Sequence, residues 1–116
     1  LVGNFIADHL RGSQLSSFPE KIRNGIQLHR EIDSFTDVHP AFRASKRLFY
    51  DGFEKHSGIL VDIWFDYFLA KNFSLYSVTD LVSFSENVYR VYSDYINLMP
   101  PGSSRFLNYV IRNNIY

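Results

Sequence analysis

His29 and Asp33 stand four residues apart in the run GIQLHREIDSFTDVHP, so on a helix an imidazole nitrogen and a carboxylate oxygen would converge from one face. A metal ion is one thing that could sit where they meet. Ile22, Ile26, His29, Asp33 and Thr36 form that face, apolar at its start and polar at its end, and Asp37 follows one turn later. A second pair, Asp62 and Asp66, repeats the spacing inside GILVDIWFDYFLAKNF. That segment is apolar on almost every side and reads as a buried helix. An unpaired buried carboxylate is costly, so these two acids call for a cation. Between Gly58 and Ser77 the only other charged residue is Lys71. Asp8 and His9 follow the Gly3-Asn4 pair. Asp8, His29, Asp33, Asp62 and Asp66 together offer four carboxylates and an imidazole, a set that suits Mg²⁺ or Mn²⁺ better than Zn²⁺.

Simpler roles exist for each of these residues. His29 could be a hydrogen-bonded structural histidine. Asp33 and Asp37 could cap a helix or join ion pairs. Asp62 and Asp66 could pair with Arg11, Arg30 or Arg43. Asp8 and His9 could face solvent.

The elements that must position these residues read as helices throughout. The periodicity predicts helices over about 2–11, from Pro19 to about 35, from Pro40 (with Asp37 or His39 near its cap) to about 53, and over 59–72. A fifth follows a Ser77 or Thr79 cap and ends before Pro100, and a sixth covers 103–115. Leu81, Phe84, Val88, Tyr92 and Tyr95 recur at helical spacing and are expected in the core. The fold class is therefore all-α, a single helical domain. With 116 residues, 46% of them hydrophobic and 17% aromatic, the chain has the apolar surface to fold and room for one domain. The absence of cysteine excludes disulfides, zinc–thiolate sites and cysteine nucleophiles. Neither a secretory leader nor a membrane span is evident, so a soluble, cytoplasmic protein is expected.

Twelve Lys and Arg residues balance twelve Asp and Glu, which argues against a protein held mainly by nucleic-acid phosphates. Withdrawing Asp8, Asp33, Asp37, Asp62 and Asp66 into a site leaves 7 acids against the 12 basic groups. The remaining surface is then basic, and Arg43, Lys46 and Arg47 could present a patch to an acidic partner.

The ordered blocks GNFIADHLRG, GIQLHREIDSFTDVHP and LVDIWFDYFLAKNF resemble the acyl carrier protein phosphodiesterases, over about residues 2–74. These in turn resemble the HD-type metal-dependent phosphohydrolases. The resemblance implies an all-helical, HD-like fold. It also implies Mn²⁺- or Mg²⁺-dependent release of 4′-phosphopantetheine from the serine of holo acyl carrier protein. Matched by motif, Asp8 is the acid of the first block. His29, Asp33 and Asp37 belong to the second, and Asp62 and Asp66 to the third. Asp8, His29, Asp33 and Asp66 are then expected around the metal, with Asp62 and Asp66 taking part in catalysis. Arg43, Lys46 and Arg47 are expected to meet the acidic carrier protein. Tyr67 stands where the family commonly has a histidine. Family members are longer, so the chain is expected to be a family domain lacking N- and C-terminal parts. Two other readings of the same residues are an inactive helical interaction domain and a hydrolase of another phosphoester.

Overall fold

The computed structural model describes residues 1–115, without the side chains of residues 12 and 13. Its described residues form α1 (Val2–Ile6), α2 (Glu20–Val38), α3 (Pro40–Leu48), α4 (Tyr50–Phe53), α5 (Ser57–Lys71), α6 (Leu81–Asp94) and α7 (Pro101–Arg112), with short 3₁₀ turns and no strand among them. None of these helices is long and apolar enough to cross a membrane. The all-α expectation holds, with local revisions. The first helix ends at Ile6 and tightens into a 3₁₀ turn over Ala7–His9. α2 runs on to Val38, which places Asp37 inside the helix. His39 then caps α3, its Nδ1 accepting from the Ala41 N–H at 3.2 Å. The expected third helix breaks at Phe49, and α4 carries a kink at Asp51.

The described chain clusters into two compact units. One comprises Leu1–Glu31 together with the chain from Leu81 onward; the other is Ile32–Asp80. The boundary falls inside α2, which is continuous through it.

In the first unit, the apolar stripe of α2 supplies Ile22 and Ile26 to a core shared with Val2, Ile6, Ala7, Met99, Leu107 and Val110. Ile26 and Leu107 are 0% exposed, and full burial of such a side chain is worth about 1.5–3 kcal/mol. Phe5 stacks on Tyr92 with ring centroids 4.4 Å apart and lies 6.1 Å from the Phe106 ring. Two glycines decide how α1 meets α2. A Cβ on Gly3 would overlap the Ile22 carbonyl oxygen and lie 2.9 Å from Gly25 Cα, so the helix backbones touch through a glycine pair. Of the aromatic stripe expected in the core, Val88 and Tyr92 are half-buried, while Phe84 and Tyr95 are exposed. α6 buries Ser85, four residues after Leu81 and three before Val88 on the same face.

Ser103, in the first turn of α7, is 0% exposed and its Oγ has no hydrogen-bond partner among the described residues. A buried hydroxyl in that state costs about 1–3 kcal/mol. Ser103→Ala is therefore expected to raise the melting temperature by a few degrees; a lower one would show that the hydroxyl is satisfied.

In the second unit, α3 packs on α5. Phe42, Ser57 and Val61 are buried there, and the Phe42 ring meets Phe65 edge-on at 6.0 Å. The expectation that α5 is a buried helix is not met. Asp62, Ile63, Trp64, Phe65, Asp66, Tyr67, Phe68 and Leu69 are all exposed. Apolar composition sets how much surface favours burial, but within this unit α3 covers a single stripe of α5. The rings of Trp64, Tyr67 and Phe68 pack on one another along the uncovered side.

Candidate functional site

Gly3 fixes the height at which α1 crosses α2, and the next residue, Asn4, thereby reaches His29, one turn beyond Gly25. Asn4 Oδ1 lies 2.6 Å from His29 Nδ1, and Asp8 Oδ1 lies 3.1 Å from His29 Nε2. An N–H at Nδ1 donating to Asn4 directs the other ring nitrogen at Asp8, the orientation that a second-shell oxygen gives a metal-ligating imidazole. When Nε2 also carries a proton, it donates to the Asp8 carboxylate and the pair is ionic.

Asp8 is held in turn. It sits in the Ala7–His9 turn, and the next residue, His9, lays its ring over Gly102 at the start of α7. A Cβ on Gly102 would come within 2.6 Å of His9 Cδ2. His9 therefore anchors the turn that presents Asp8.

Asp33 follows His29 by one turn of the same uninterrupted helix. Donor atoms of Asp8, His29 and Asp33 all lie within 4.8 Å of one another. Asp8 and Asp33 are exposed and His29 is half-buried. One imidazole and two carboxylates at this separation can be gathered by one divalent cation. The sequence of α2 points the same way. Its second half carries Asp33 and Asp37, with no basic residue in the last turn. Acids there oppose the helix dipole, a cost that a bound cation offsets. This three-residue group is compatible with a metal-dependent enzyme.

Asp62 and Asp66 lie outside that group. They occupy successive turns of α5 and are exposed. Burial of its immediate surroundings raises the Asp62 carboxyl above the usual aspartate range, and the charges of Asp66, Asp37 and Asp33 raise it further; Lys46 opposes them. Asp33, Asp37 and Asp66 thus all act on Asp62 with like charge. Because the fold raises this carboxyl, it favours the protonated form. The associated stability is fully present below the ordinary aspartate pKa and is lost as pH rises through the raised value. Asp62→Asn is accordingly expected to melt higher than the native chain at pH 7, by about a few tenths of a kcal/mol for so solvated a group. The gap should close in acid. An equal gap at both pH values would remove the electrostatic cause.

The structure separates the three basic residues singled out in α3. Arg43 and Arg47 are exposed, and Arg43 Nε donates to the Asp37 carbonyl at 3.4 Å. Lys46 is half-buried, with its Nζ 5.8 Å from the centre of the Phe42 ring. Tyr67 is exposed, its ring edge-on to Trp64 and Phe68, with Lys71 Nζ 6.0 Å from its centre. Asn4, Gly25 and Gly102 escaped the sequence reading as parts of a site. The one signal was the adjacency of Gly3 and Asn4 just before Asp8.

The family model for acyl carrier protein phosphodiesterase matches residues 1–116, the whole sequence. The chain belongs to the acyl carrier protein phosphodiesterase family. An acyl carrier protein phosphodiesterase of Escherichia coli (strain K12 / DH10B) is 32% identical over 108 residues, covering 93% of this chain and 55% of the relative. One from Pectobacterium atrosepticum is 39% identical over 72 residues, covering 62% of this chain and 37% of the relative. The chain thus spans about half or less of the curated relatives it matches. No solved structure matches it significantly. In this family member, the Asp8–His29–Asp33 group draws on the first two of the three motif blocks that carried the resemblance.

Proposed function

We propose that this chain supplies the active-site helices of a metal-dependent phosphodiesterase that cleaves the 4′-phosphopantetheine–serine bond of holo acyl carrier protein. The observation that carries the reading is the grouping of Asp8, His29 and Asp33, with Asn4 orienting the imidazole, in a chain matched end to end by this family. Asp8, His29 and Asp33 would hold Mn²⁺ or Mg²⁺, and the motif match adds Asp66. When bound, the cation supplies Lewis-acid stabilisation of phosphoryl charge. Asn4 keeps the imidazole turned toward Asp8. Asp62, the first acid of the third motif block, would orient the attacking water or a ligand. Asp66, one turn further along α5, would take part in catalysis beside it. Arg43 and Arg47 are exposed one turn apart on α3 and offer contacts to an acidic carrier protein. Kinship with HD-type hydrolases, a single family domain over 1–116 and a cytoplasmic setting belong to the same proposal.

The test is conversion of holo to apo acyl carrier protein, followed by mass spectrometry with Mn²⁺ and with chelator. Loss of the phosphopantetheine mass only with the metal is the expected result. No loss with either Mn²⁺ or Mg²⁺ overturns the reading.

A further inference from the structure

α7 buries one stripe and turns another away from it. Ser103, Leu107 and Val110 are its buried residues. Arg105, Tyr109 and Arg112 each stand two residues further along, a rotation of about 200° around the helix axis. They therefore point away from the core, and all three are exposed, Tyr109 by 58%. Steps of four and three residues place them in one row about 10.5 Å long. α7 contains no acidic residue. Among the described residues, neither arginine is in an ion pair.

This row begins beside the turn that presents Asp8. Gly102 precedes Arg105 by three residues on the same side of α7, and the His9 ring lies over it. The balanced total charge also divides unevenly along the chain. Leu1–Glu31 together with the chain from Leu81 onward carries seven Lys and Arg residues against five Asp and Glu. Ile32–Asp80 carries five against seven. α7 thus belongs to the basic unit, whereas the arginines of α3 belong to the acidic one. We propose that the Arg105–Tyr109–Arg112 row of α7 is a docking face for an acidic helical segment of the carrier protein. Carboxylates two turns apart on such a segment match the span of the two arginines, and the tyrosine between them supplies apolar contact area. Arginine and tyrosine are among the side chains that dominate binding energy at protein interfaces. The choice of the carrier protein as partner rests on the proposed function.

The test is the affinity of the chain for fluorescently labelled apo acyl carrier protein, which has no phosphodiester left to cleave. The native chain is compared with Arg105→Gln/Arg112→Gln, with Tyr109→Ala and, for an equal change of charge elsewhere, with Lys21→Gln/Arg23→Gln on α2. Each is titrated at about 20 mM and about 0.5 M salt. The α7 arginine pair is expected to bind about tenfold or more weakly at low salt, with the gap closing at high salt. Tyr109→Ala should weaken binding about fivefold or more at both. The α2 pair should change it by less than about twofold. Native affinity in the α7 pair, or an equal loss in the α2 pair, overturns the proposal, as does a native chain that does not bind. A chain that binds through this face without cleaving holo carrier protein would remove the phosphodiesterase reading alone. Cleavage at the native rate, with limiting carrier protein and both α7 arginines replaced, would remove the docking face alone.

Discussion

Gly3→Ala is expected to cost about 3 kcal/mol or more and to lower the melting temperature by about 10 °C or more. The added methyl would meet the Ile22 carbonyl oxygen, Gly25 Cα and Ile26 N, all of them backbone atoms of α2 that no rotamer change can move aside. α1 would have to back away, withdrawing Val2 and Ile6 from the core and Asn4 from His29. Gly25→Ala should cost less, because its Cβ would lie 3.0 Å from Gly3 Cα and 3.2 Å from Asn4 N. Gly52→Ala serves as control, since nothing lies within 4 Å of a Cβ there. Circular-dichroism melts of the three variants give the comparison. A Gly3→Ala curve superimposed on the native one would disprove the close helix crossing.

Asp33→Ala is expected to lower conversion of holo acyl carrier protein by at least about 100-fold while leaving the melting temperature within a degree or two. The two halves of this result come from different properties of one residue. Its carboxylate is one of three donors within 4.8 Å, so its loss takes a ligand from the group. It is also exposed and lies in the half of α2 where negative charge opposes the helix dipole, so the fold gains little from it. Mass spectrometry of the carrier protein reads the first half and a thermal melt reads the second. Retained conversion would exclude Asp33 from the reaction. Asn4→Leu provides the complementary case: the imidazole stays but loses its orienting oxygen, and Mn²⁺ affinity should fall by about 10–100-fold.

The motif spacing made His29 and Asp33 legible, because two residues one turn apart on a helix share a face whatever packs around them. Asp8 was legible only as a member of a familiar block; nothing in its spacing from His29 joins them. That union depends on the glycine contact between α1 and α2 and on the seat of His9 over Gly102. α5 shows where composition misleads. Its run of Ile, Trp, Phe and Tyr predicted burial, yet α3 covers one stripe and leaves Asp62, Asp66 and their aromatic neighbours exposed. Lys46 shows the converse. It is half-buried, with its ammonium over the Phe42 ring, a packing that its place among exposed basic residues did not signal.

By itself, the sequence determined the helical class, the turn-to-turn pairing of His29 with Asp33 and of Asp62 with Asp66, and the start of a helix at Pro40. These are local properties, set by backbone geometry and by the few residues on either side. The tertiary structure alone decided that Asn4 turns the His29 ring and that Asp8 meets its far nitrogen. Those contacts join residues that the chain separates by 21 and 25 positions. Over such separations only the shapes of packed surfaces, here down to the missing Cβ atoms of Gly3 and Gly25, fix which side chains meet.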